Sequence, residues 1–152
     1  MSNYICRLNE NVKREHVRYY NRYGIALAGD LYTAKTMDQK QKHMAVIVGA
    51  PYGGVKEQGP CVYANELAQR GFIVLTFDPC YMGESAGEPR HVSSPDLFSE
   101  NISAGVDYLG LLPYVDREKL QPLESAAAVA FPCQQPRSIQ ELKRWLRQAC
   151  MT

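Results

Sequence analysis

Apolar residues recur along this chain in two spacings, and the two spacings take turns. Residues 17–20 and 25–32 are short runs rich in Val, Tyr, Ile and Leu, parted by Asn21-Arg22-Tyr23-Gly24. That pattern predicts an antiparallel hairpin. Residues 35–42 are polar and read as a loop. Ala45-Val46-Ile47-Val48 is a continuous apolar run, which suits a strand covered on both faces. A Gly-rich loop at 49–54 leads into residues 55–70, where Tyr63, Leu67 and Ala68 share one face of a helix. Gly71 suits the position just past its end. Residues 72–77 form a second buried run, and residues 78–91 a loop rich in Gly and Pro. Ser94-Pro95-Asp96 is a helix start, with a capping hydroxyl, a proline in the first turn and an acid near the positive end of the dipole. Phe98, Ile102, Leu109 and Leu112 then repeat at helical spacing until Pro113. Strand–helix–strand–helix order with doubly buried strands implies an α/β fold: a parallel sheet between helices, three layers αβα, with the hairpin as an antiparallel edge. Residues 1–16 are polar and read as a flexible or loosely helical lead-in.

Composition narrows the function classes. The chain has 152 residues, 45% hydrophobic and 22% charged, with a net charge of +1. Nothing in that balance favours nucleic acid or a membrane surface. No apolar run reaches the ~18 residues of a membrane span. The first 16 residues lack the apolar core of a signal peptide, so the cytoplasm is the expected location. The five cysteines are scattered, odd in number and without a C-x-x-C pair, so neither a disulfide framework nor a zinc site is expected. No metal or other cofactor is expected. The glycines of 49–54 do not match G-x-G-x-x-G, and Lys56 precedes Glu57 rather than Ser or Thr, so a nucleotide loop is not expected either.

Gly83-Glu84-Ser85-Ala86-Gly87 matches the G-x-S-x-G string of a nucleophile elbow. An elbow Ser sits directly between a strand and a helix. Here Pro79-Cys80-Tyr81-Met82 intervene before it and Glu88-Pro89-Arg90-His91 follow, so Ser85 is read as a loop serine. A self-sufficient Ser85 hydrolase is the third-ranked reading. His16, His43 and His91 have no partner that the sequence can point to, and Cys80 has no identified activating group.

Four stretches carry a family likeness: N-R-Y-G-I-A-L-A-G-D-L-Y (21–32), A-P-Y-G-G-V-K-E-Q (50–58), F-D-P-C-Y-M-G-E-S-A-G-E-P-R (77–90) and V-D-R-E-K (115–119). In this order and spacing the chain resembles the bacterial α/β-hydrolases related to dienelactone hydrolase, over residues 17–119. Relatives often have His-Pro where this chain has Ala50-Pro51. The resemblance implies an incomplete α/β-hydrolase fold and a parent that hydrolysed small esters or lactones with a Cys or Ser nucleophile, His and Asp, without cofactor. It also implies that the loop after the third strand gives one backbone N–H to an oxyanion hole. Pro51 has no N–H, which leaves Tyr52 first and Gly53 second as donors.

The family's elbow, of the type G-I-C-G-S-G-G, follows V-D-R-E-K, and no such string is present here. The acid and the His come later still in the family, so no catalytic residue is assigned and the chain is expected to be inactive. From Leu120 onward, joining the third base of each codon to the first two of the next lets the genetic code spell A-x-I-G-I-C-G-S-G-G-F-x-L-x-A-A-x-V-D-P-R-I-K-A-V-A-T-x-S-M-Y-D. Residues 121–152 are therefore expected to be an out-of-frame tail, and the domain boundaries to be 1–16, 17–119 and 120–152. A competing reading makes the chain a small α/β interaction module. Its partner helix would start at the capping box Ser138-Ile139-Gln140-Glu141 and carry an apolar stripe of Leu142, Trp145, Leu146 and Ala149. With no fifth strand evident, the edge at 45–48 is expected to be bare, and marginal stability or self-association through it to follow.

Overall fold

The computed structural model describes residues 4–124, with side chains as far as Leu120. Five strands and two helices follow in the order β1 (Val12–Tyr20), β2 (Ala26–Ala34), β3 (His43–Gly49), α1 (Gly59–Ala68), β4 (Ile73–Phe77), α2 (Pro95–Gly110) and β5 (Val115–Glu124). They make one mixed sheet in the order β1-β2-β4-β3-β5. β1 and β2 form the expected hairpin, from Val12↔Ala34 to Tyr20↔Ala26. Its turn works because the Asn21 side chain accepts from the N–H groups of Tyr23 (3.1 Å) and Ile25 (3.0 Å), while Gly24 takes φ +71°. β2 meets β4 antiparallel, and β3 lies parallel to β4. Gly29 is needed where β2 and β4 meet, since a Cβ there would lie 2.8 Å from the Thr76 carbonyl oxygen.

The two faces of the sheet follow the period-two alternation of the strands. Tyr32, Val46, Val48 and Val74 point to one face, against Cys61, Ala64, Leu67 and Ala68 of α1. Leu27, Leu31, Ala45, Ile47, Ile73, Leu75 and Phe77 point to the other, where Ala104 and Leu109 of α2 cover them. The three αβα layers thus stand as the apolar runs implied. Ser94 caps α2, its hydroxyl accepting from the Leu97 N–H at 3.2 Å.

Three expectations need correction. β1 begins at Val12, inside the stretch read as a lead-in, and residues 4–9 lie along α1: the Asn9 N–H bonds the Asn65 side chain at 3.0 Å. The charged alternation of Lys13-Arg14-Glu15-His16 hid a strand that needs only one apolar side. α1 begins at Gly59, because residues 51–58 are spent on turns. Most consequential, β3 is not bare. β5 pairs with it in parallel, from His43↔Val115 and Ala45↔Leu120 to Gly49↔Glu124, with one irregularity between His43 and Ala45. β5 crosses the boundary expected at 119/120 and includes the first four residues of the expected out-of-frame segment. The remainder of that segment, residues 125–152, and the helix proposed from Ser138 lie outside the described residues.

Candidate active site

The parallel strands β3, β4 and β5 end together at Gly49, Phe77 and Glu124, and the loops that leave β3 and β4 meet above that edge. Such a crest, outside the carboxyl ends of parallel strands, is where open α/β sheets hold ligands. The β3 loop turns sharply. Gly54 N–H donates to the Pro51 carbonyl at 2.7 Å, and Gly53 sits at φ +75°. A Cβ on Gly54 would press within 2.8 Å of the Pro51 ring, so the turn demands a glycine there. Tyr52 is 69% exposed, its ring against Phe98 of α2 with centroids 6.5 Å apart. Among the described residues, neither the Tyr52 nor the Gly53 N–H reaches an acceptor. Two free backbone donors on a tight turn are what a developing oxyanion can use.

What holds this turn to the β4 loop is a buried charge cluster that the sequence reading missed. The Lys56 side chain is fully buried and its ammonium bonds Asp78 (3.1 Å), Glu84 (2.8 Å) and Glu57. Asp78, also fully buried, accepts from the backbone N–H groups of Lys56 and Glu84, each at 2.8 Å. Burial alone would push Lys56 down, yet its bonds to Glu57, Glu84 and Asp78 carry it above the usual lysine range. Burial pushes Asp78 above the usual carboxylate value, against the pull of those two N–H groups and the ammonium. Glu84 is held low, chiefly by its hydrogen bond with Lys56. The Glu57, Asp78 and Glu84 carboxylates converge closely enough to hold a metal ion, but the Lys56 ammonium already bonds all three. The cluster is a strut between loops. The one signal for it in the sequence was a lone Asp at the end of an apolar strand and a Lys inside a Gly-rich turn.

Ser85 belongs to the same strut. It is 2% exposed; its hydroxyl donates to the Asp78 carbonyl at 2.7 Å and accepts from the Ala28 N–H at 2.8 Å. Arg90 clasps the loop from outside, donating to the carbonyls of Ser85 (2.6 Å) and Gly83 (2.7 Å). The flanking glycines serve the loop too. Gly83 (φ +51°) faces the Asp78 carboxylate and Gly87 (φ +122°) the Tyr81 ring, with no room for a Cβ at either. The G-x-S-x-G string is therefore a loop whose geometry needs those residues, with no histidine at the hydroxyl.

His16 does find partners. Its Nδ1 meets Asp30 and its Nε2 lies 3.0 Å from Glu84. A ring with a carboxylate at each nitrogen has neither left for a nucleophile. Tyr4 donates to the other Asp30 oxygen at 2.6 Å. His43 meets the Asp38 carbonyl at 2.8 Å, and His91 lies in a left-handed turn at φ +65°. Cys80 is buried, beside the Asn101 amide at 3.3 Å, and burial raises its thiol above the usual value. Among the described residues, no hydroxyl or thiol is paired with a histidine.

No family model matches the chain. It is 48% identical over 113 residues to the uncharacterised protein PA2218 of Pseudomonas aeruginosa, covering 74% of this chain and 30% of that protein. The crystal structure of PA2218 superposes with a TM-score of 0.77 at 44% identity, over 81% of this chain and 38% of the other. A thiohydrolase of Eupenicillium brefeldianum is 27% identical over 111 residues, 73% of this chain and 34% of that enzyme. The α/β-hydrolase GrgF of a Penicillium species shares the fold, with a TM-score of 0.68 at 20% identity over 91% of this chain and 53% of its own. The chain spans about a third of the length of the curated relatives it matches. Over the described residues the chain has an α/β-hydrolase-like fold.

Proposed function

We propose that this chain is the front part of an ester, thioester or lactone hydrolase of the dienelactone-hydrolase kind. In this reading it carries one half of the oxyanion hole and no catalytic residue of its own. The observation that supports it is the β3 turn at the crest of a parallel sheet, where the N–H groups of Tyr52 and Gly53 meet no acceptor among the described residues. In the complete enzyme a nucleophile would attack the carbonyl carbon of a small acyl substrate. The oxygen would become a tetrahedral oxyanion facing Tyr52 N–H, with Gly53 as the second candidate donor.

The register of β5 supports the same reading. With the lost base of the Leu120 codon restored, the shifted-frame string replaces residues 121–152, which sets its I-G-I on positions 123–125 and its Cys on position 126, just past the end of β5. The end of β5 pairs with Gly49, where the oxyanion turn begins. A nucleophile at that point of the parent would stand beside the turn, as acyl transfer requires. The exposed Tyr52 ring and Phe98 would form one apolar wall for the acyl group.

The reading has a direct test. This chain should neither hydrolyse p-nitrophenyl acetate nor react with a fluorophosphonate probe. A version carrying the shifted-frame sequence in place of residues 121–152, continued through the downstream frame, should do at least the former. Fluorophosphonate labelling of Ser85 in the present chain would overturn the proposal. So would DNA at this locus unable to encode the string.

A further inference from the structure

Residues 4–9 are laid along α1 in a fixed register. Ile5 N–H donates to the Glu57 carbonyl at 3.0 Å, and the Asn65 amide donates to the Arg7 carbonyl at 3.3 Å. The Asn9 amide reaches Gln69 at 3.1 Å. Upstream, Tyr4 is pinned between Asp30 and the Arg14 guanidinium, which lies 3.4 Å over its ring. This seating brings Cys6 onto Cys61 in the first turn of α1. The Cys6 thiol donates to the Cys61 sulfur at 2.8 Å, and the Cys61 thiol donates in turn to the Glu57 carbonyl at 3.2 Å. The two are 55 positions apart in sequence, so nothing local explains their meeting. Both are free thiols here, and Cys61 is wholly buried while Cys6 is partly exposed.

We propose that Cys6 and Cys61 are a reversible thiol–disulfide pair that, when oxidised, clasps the N-terminal segment onto α1 behind the oxyanion turn. This departs from the cysteine pattern of the sequence, which suggested no disulfide. The pair takes a disulfide oxidant such as oxidised glutathione. The partly exposed Cys6, as thiolate, attacks one glutathione sulfur and expels the other half as glutathione thiolate. The Cys61 thiolate then attacks the Cys6 sulfur and expels the second. Two protons pass from the protein thiols to the two glutathione thiolates, so one oxidised glutathione is consumed and two reduced ones are formed. Burial, then the contact with Cys61, pushes the Cys6 thiol up to about 12. Exchange is therefore slow at neutral pH and speeds up about tenfold for each pH unit.

The chain should be incubated with oxidised glutathione at pH 7 and pH 9, alkylated, digested without reductant and mapped by mass spectrometry. A peptide joining Cys6 to Cys61, formed faster at pH 9 and lost on adding dithiothreitol, is the expected result. Mapping separates this link from any pairing of Cys133 or Cys150. Oxidation should also raise the thermal midpoint by on the order of 10 °C. That rise should persist in Cys80→Ser and vanish in Cys6→Ser, whose partly exposed site tolerates the change. Cys6 and Cys61 both alkylated after full oxidation, or Cys6 carrying only glutathione, would overturn the proposal.

Discussion

Lys56 shows how one side chain can organise a site without entering its chemistry. Its ammonium and Asp78 are both fully buried, so neither can be removed alone without leaving an uncompensated charge. Lys56→Met should therefore cost about 3 kcal/mol or more of unfolding free energy, read by urea denaturation. A loss under ~1 kcal/mol would mean that the backbone N–H groups on Asp78 suffice. Glu84 tests the same strut through pH. Its carboxyl is held below the ordinary value by Lys56, so its stabilising effect is present above the unfolded value of about 4.3 and is lost as pH falls through the lower folded value. The thermal midpoint of Glu84→Gln should thus lie below that of the parent at pH 6, and the gap should close towards pH 3. A gap independent of pH would detach Glu84 from the strut. Its side chain is about half exposed, so the effect is modest.

β5 decides how the chain should be cut. Its residues 120–124 pair with 45–49 of β3, an apolar inner strand. Truncation after Lys119 would bare that side of β3, whereas truncation after Glu124 would leave the pairing whole. The first product is expected to aggregate or unfold at lower denaturant. The second should keep the thermal midpoint of the full chain within a few degrees, if residues 125–152 contribute nothing. A large loss on the second cut, measured by circular dichroism melting, would speak for a packed tail and against the out-of-frame proposal. β5 escaped the sequence reading because Val-Asp-Arg-Glu-Lys-Leu-Gln-Pro-Leu-Glu has no continuous apolar run and contains a proline. An edge strand needs neither burial on both faces nor every N–H, so those features did not forbid it.

At the scale of the whole molecule, β1 and β5 are the two edges of the sheet among the described residues. β1 is studded with Lys13, Arg14, Glu15, His16 and Arg18, a guarded edge. The self-association proposed from the sequence therefore moves from β3 to β5, where charges at 116–119 and Pro122 oppose flat strand addition. Sedimentation equilibrium should show a monomer with a higher-mass fraction that grows with concentration. A pure monomer up to high concentration would remove the proposal. Among the described residues, no helix is long and apolar enough to cross a membrane.

The α/β class, the three layers, the hairpin and the capped start of α2 were legible in the sequence. Each is written in local terms: the period of apolar positions, a turn with Asn and Gly, a Ser-Pro-Asp cap. The β3 turn with Tyr52 and Gly53 was legible for the same reason, because Pro and Gly fix backbone geometry wherever they stand. The tertiary structure alone decided the rest. Lys56 meets Asp78 and Glu84 across 22 and 28 positions, His16 meets Glu84 across 68, and Cys6 meets Cys61 across 55. Pairings of that kind leave no period in the chain; they exist only once α1 has crossed over the sheet and the loops of β3 and β4 have been brought to one edge.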